Sequence, residues 1–124
     1  MRKLIFAALS VALILSHTES ANAHAQLTSS VPRKNQTIKM LPNLVWLEFD
    51  GDLITLDGKA VNELTVTNSK KVRVDIGGSI VGGARISTKL KPGLPSGKYM
   101  VSYRIVSEDG HPVDGSFSFT YKPK

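Results

Sequence analysis

Ser116-Phe117-Ser118-Phe119-Thr120-Tyr121 alternates a hydroxyl side chain with an aromatic ring three times in succession. Successive side chains of a β-strand point to opposite faces, so the three rings share one side of a sheet and the hydroxyls the other. Upstream, Tyr99-Met100-Val101-Ser102-Tyr103-Arg104-Ile105 keeps the same period of two. A polar turn, Ser107 to Gly115, separates the two stretches, and together they read as paired, half-buried strands.

Working outward, Leu64-Thr65-Val66-Thr67 and Val72-Arg73-Val74-Asp75-Ile76 alternate likewise, and Leu44-Val45-Trp46-Leu47-Glu48-Phe49 is apolar enough for a central strand. Trp46 is expected to be core packing. No segment after residue 23 has a helical period, and Gly and Pro punctuate the chain at all-β intervals. Strands are expected near 26–31, 44–49, 63–67, 71–76, 84–90, 98–107 and 115–122. About seven strands suit an all-β, immunoglobulin-like Greek-key β-sandwich or barrel, cupredoxin-like in class. Gly97-Lys98-Tyr99, after Leu94-Pro95, resembles a tyrosine corner, in which a Tyr hydroxyl bonds to backbone a few residues upstream.

With 124 residues, 41% hydrophobic and 21% charged, the chain suits one globular domain. Cysteine is absent, which excludes disulfide scaffolds, thiolate metal sites and cysteine nucleophiles. Arg2 and Lys3, then apolar residues 4–15, then Ala21-Asn22-Ala23 read as a secretory signal peptide over 1–23, cleaved after Ala23. The apolar run is shorter than the about 20 residues of a membrane-spanning helix. The domain is therefore residues 24–124, and removal of Arg2, Lys3 and Glu19 takes the formal charge from +6 to +5. The remaining charge is dispersed along the sequence. Its only tight cluster, Lys70, Lys71 and Arg73, has no interleaved aromatic residues and reads as a solvated strand edge, so no nucleic-acid partner is expected.

Histidine carries the chemistry. After cleavage only His24, at the first position, and His111 remain. A terminal histidine can chelate through its free amine and its Nδ1 together, and the amine loses its proton at little cost because its unperturbed pKa is about 7.7–8.0. His111 lies in Ser107-Glu108-Asp109-Gly110-His111-Pro112. Gly110 permits a tight turn and Pro112 favours extended backbone at His111, so Asp109 and His111 can project to one side. Three nitrogens and one oxygen suit tetragonal Cu(II), with nickel and zinc as weaker competitors. Glu108 or Asp114 could supply a carboxylate to the other ring nitrogen of His111, and the sequence leaves that choice open.

Three stretches carry a family resemblance. His24-Ala25-Gln26-Leu27-Thr28-Ser29-Ser30-Val31-Pro32, Leu94-Pro95-Ser96-Gly97-Lys98-Tyr99 and Ser107-Glu108-Asp109-Gly110-His111-Pro112-Val113-Asp114-Gly115-Ser116-Phe117-Ser118-Phe119 resemble the CopC family of periplasmic copper-resistance proteins. The resemblance implies an immunoglobulin-like Greek-key barrel that binds one Cu(II) through His24, Asp109 and His111. Some members also carry a methionine-rich Cu(I) site. Met40 and Met100 form no Met-x-x-Met run, so no Cu(I) site is expected and both are read as core filler. Arg33-Lys34-Asn35-Gln36 departs from the family's small, glycine-containing turn.

The expected function is sequestration, transport or resistance towards copper in the periplasm by a monomeric, non-enzymatic protein. Its partners would be the copper ion and an inner-membrane copper transporter or another periplasmic copper protein. Two other readings are a histidine-brace copper monooxygenase and a metal-free interaction module. In the first, Asp109 would fill a position that oxygen chemistry needs open.

Overall fold

In the computed structural model, which describes residues 25–124, the chain is all β: β1 (Leu27–Val31), β2 (Thr37–Ile38), β3 (Leu44–Phe49), β4 (Glu63–Thr67), β5 (Asp75–Gly82), β6 (Arg85–Leu90), β7 (Gly97–Val106) and β8 (Pro112–Tyr121). They form two four-stranded sheets, ordered β1-β3-β6-β5 and β2-β8-β7-β4. Every pairing is antiparallel except the short parallel one between β2 and β8. His24 lies outside the described residues, as does the expected signal peptide.

The alternation read from the sequence generates the core. Val45, Leu47 and Phe49 of β3, Leu64 and Val66 of β4, Val101 and Ile105 of β7, and Phe117 and Phe119 of β8 all turn inward and are buried. Full burial of such side chains stabilises by about 1.5–3 kcal/mol each before the entropy of ordering is counted. Tyr99 stacks on Phe119 at 5.4 Å between centroids and donates its hydroxyl to the Pro95 carbonyl, as a tyrosine corner does.

Several expectations need correction. The chain has eight strands because Thr37 and Ile38 add a short edge to β8. The strand expected over 71–76 begins at Asp75 and runs to Gly82. Val72 is 55% exposed, and the alternation there spans a crossing in which Arg73 bridges β4 at Thr67 and Asp75 enters the other sheet against Leu90. Trp46 is not core: it faces out, half-buried, with the Arg85 guanidinium 3.8 Å over its ring. Neither Met40, 83% exposed, nor Met100, 40% exposed, fills the core, and they line separate clefts.

No backbone ladder joins β4 to β5; beyond the Val74 amide, which donates to the Val66 carbonyl at 2.8 Å, side chains close that seam. The Ser79 hydroxyl accepts from the Leu64 amide at 2.8 Å and donates to the Leu64 carbonyl at 3.2 Å. Asp75 Oδ1 accepts from the Val66 amide at 2.8 Å. Ser79 reaches β4 because Gly77 and Gly78 bulge out of register with β6 between Ile76 and Ile80.

Candidate metal centre

The turn between β7 and β8 is built around Asp109. Its Oδ1 accepts from the Ser107 hydroxyl at 2.7 Å and from the His111 amide at 3.0 Å, while the Gly110 amide donates to the Ser107 carbonyl at 2.9 Å. Gly110 adopts a φ of +78°, a left-handed conformation that costs glycine nothing. The second carboxylate oxygen is left facing the His111 ring, with Oδ2 to Nδ1 at 3.4 Å. Asp109 and His111 thus share one side of the turn, as expected from the extended backbone before Pro112.

The hydrogen bond from the His111 amide, and after it that from Ser107, hold the Asp109 carboxyl below the usual carboxylate range. It is a fixed anion at neutral pH, aimed at a 67% exposed imidazole. Carboxylate and ring therefore stand together on one side of the turn, where both can be offered to one ion. Of the two carboxylates considered as orienters, Asp114 is instead 3.3 Å from Arg104 on β7.

Chain topology brings the N-terminal end of the domain to the same place. Gln26 and Asp50 are tied reciprocally: the Gln26 amide donates to Asp50 Oδ1 at 2.9 Å and the Asp50 amide to the Gln26 carbonyl at 3.0 Å. Ala25 is buried in the core. Just beyond Asp50, Leu53 bridges Ser107 and the Ile54 amide donates to the Val106 carbonyl at 2.8 Å. Asn62 locks this junction, donating to the Ile54 carbonyl at 2.6 Å and accepting from the Val106 amide at 2.8 Å. The start of β1 and the Asp-Gly-His turn therefore occupy one end of the sandwich. Among the described residues no group of three His, Cys, Asp or Glu gathers; Asp109 and His111 make a pair, and the third expected donor is His24.

Sequence reasoning missed Ser107, Asp50 and Asn62 as supports. Ser107 stood inside the quoted motif, but its role needs the turn geometry. Asp50 and Asn62 act on residues 24 and 44 positions away, so nothing local announces them. Gly115, another member of the motif, lies under Tyr103: a Cβ there would sit 2.2 Å from the tyrosine oxygen and 2.3 Å from Cζ.

Residues 27–122 match the CopC domain family. The chain is 38% identical over 111 residues to copper resistance protein C of Xanthomonas campestris pv. juglandis, covering 83% of this chain and 84% of that protein. It is 32% identical over 123 residues to copper resistance protein C of Escherichia coli, covering 89% and 90%. The solved structure of CopC from Methylosinus trichosporium OB3b superposes with a TM-score of 0.70 at 27% identity, over 81% of this chain and 95% of that one.

Proposed function

The chain belongs to the CopC family, and from that premise we propose that it is a copper-binding protein of copper resistance that carries one Cu(II) on His24, Asp109 and His111. The observation supporting this reading is the meeting of a fixed, anionic Asp109 beside the His111 ring with the N-terminal end of the domain. The His24 amine and Nδ1 would add two donors, giving the nitrogen-rich set that favours Cu(II) among divalent first-row ions. In the unprocessed chain the nitrogen of His24 is a peptide amide. Cleavage after Ala23 would therefore switch the site on, in keeping with a protein that works after export to the periplasm. Copper is cargo, bound and handed on to a membrane transporter or another copper protein; no reaction is required of the site.

A Cu(II) titration tests this reading, followed by electron paramagnetic resonance and by Trp46 fluorescence. Residues 24–124 with a free His24 amine are expected to bind one equivalent tightly with a nitrogen-rich tetragonal signal. The same protein with one additional N-terminal Met is expected to bind far more weakly. Equal binding by both forms would remove the His24 amine from the ligand set.

A further inference from the structure

Charge that is dispersed along the sequence is segregated in space. Every side-chain carboxylate of residues 25–124 except Asp75 lies in the half of the sandwich that holds the Asp109–His111 turn, among them Asp50, Asp52 and Asp57 of the β3–β4 connection and Glu108 of the turn. Only Lys59, Arg85 and Arg104 accompany them there, and ion pairs hold Arg85 on Glu48 and Arg104 on Asp114. The other eleven lysines and arginines lie in the opposite half, among them Lys34 and Lys39 before β3, Lys70 and Lys71 between β4 and β5 and Lys91 after β6; Arg73 pairs there with Asp75 and comes within 4.0 Å of Glu63.

Backbone bonds gather these connections into one surface. The Leu90 amide donates to the Asn43 carbonyl, the Lys91 amide to the Val74 carbonyl and the Lys122 amide to the Ile38 carbonyl. Among the described residues no lysine is held in an ion pair. Two apolar side chains protrude among the cations, Met40 at 83% exposed and Val72 at 55%.

We propose that this basic pole docks on an anionic lipid bilayer, with the Asp109–His111 end pointing away from the membrane. Lys34, Lys39, Lys70, Lys71 and Lys91 sit on four separate connections at this end, a spread that suits a plane of headgroups better than a narrow groove. Each cation near an anionic bilayer raises partitioning about fivefold. Met40 and Val72 are placed to enter the headgroup boundary as the flanking lysine amines stay at its surface. A single-stranded nucleic acid would call for exposed aromatic platforms between the cations, and none of the exposed large apolar side chains among the described residues is aromatic; a protein partner would call for a core depleted of charge, where this pole is dense in lysine. The carboxylates of the far end are repelled by the same surface, which fixes the orientation.

The test is co-sedimentation of residues 24–124, which contain both sheets and the core of the described residues, with vesicles of phosphatidylglycerol and phosphatidylcholine mixed or of phosphatidylcholine alone. Binding is expected on the anionic vesicles only, and 0.5 M NaCl, where the Debye length falls to a few ångströms, is expected to release it. A Lys34→Gln, Lys70→Gln, Lys91→Gln variant, one change on each of three loops, is expected to bind at least tenfold more weakly; Lys59→Gln in the other half is expected to bind as the parent does. Met40→Ser with Val72→Ser, which leaves every charge in place, is expected to weaken binding several-fold. Circular dichroism confirms that each variant is folded. Failure to bind anionic vesicles, or binding undiminished in the triple lysine variant, overturns the proposal. So does retention of the parent on polyglutamate at a salt concentration that already releases it from the anionic vesicles, which would assign the pole to an acidic protein.

Discussion

Asp109 spends one oxygen on the turn and keeps the other for the ring of His111, so its two roles can be separated by substitution. Asp109→Asn retains an acceptor for Ser107 and for the His111 amide but removes the anion; copper affinity, read by competition with a calibrated chelator, is expected to fall at least tenfold with little change in melting temperature. Ser107→Ala removes the 2.7 Å bond from a buried hydroxyl and loosens the carboxylate without touching a donor. It is expected to weaken Cu(II) binding by a smaller factor and to broaden the paramagnetic signal, since the donor geometry becomes heterogeneous. At Asp75 the balance is electrostatic. Burial pushes its carboxyl up, but the Arg73 guanidinium at 2.7 Å and the Val66 amide together prevail and hold it below the usual value. A folded pKa below the unfolded one means a stabilising contribution that is complete above pH about 4 and lost as the pH falls through the lower folded value. Asp75→Asn is expected to flatten the acid limb of stability against pH. Asp75→Ala, which strands the buried Val66 amide, is expected to cost about 1–3 kcal/mol at neutral pH by denaturant unfolding.

At the scale of elements, β7 and β8 fix the direction of the site turn, and their register puts Tyr103 opposite Gly115. The tyrosine lies across that glycine and meets Phe49 edge-on at 5.4 Å, tying the hairpin to the strand whose end carries Asp50. Gly115→Ala is expected to drive the ring away and cost about 1–3 kcal/mol by overpacking, seen as a lowered denaturation midpoint at unchanged slope. Strands β3, β4, β7 and β8 were legible in the sequence because one face of each is buried, and the period of two is then written into the residue types. β5 was not. Its edge is closed by Ser79 and Asp75 bonding to β4, so the partners are separated in sequence and the strand itself keeps Ile76 and Ile80 exposed. The common side taken by Asp109 and His111 was legible for the opposite reason: Gly110 and Pro112 set it within a few residues.

For the molecule as a whole, the two parts of the candidate site are the start of the domain and the turn before its last strand. A metal bound to both would close most of the chain into a loop, a constraint that acts on the unfolded state only while the ion stays bound. On the proposed ligand set the donors come together only in the folded chain, and Cu(II) would then stabilise by mass action, by about 2.7 kcal/mol at a free concentration one hundred times its dissociation constant. For a domain of about 100 residues that corresponds to a rise in melting temperature on the order of 10 °C. The free-amine form of residues 24–124 is expected to show this rise, and the Met-extended form and His111→Ala to show little of it under the same free Cu(II). The comparison separates ligation from adventitious binding, because Cu(II) that coordinates scattered carboxylates or the unfolded chain would shift all three proteins alike or lower their stability. A rise confined to the free-amine form would mean that copper joins residue 24 to the β7–β8 turn. A rise shared with the Met-extended form would place the ion on the turn without the amine.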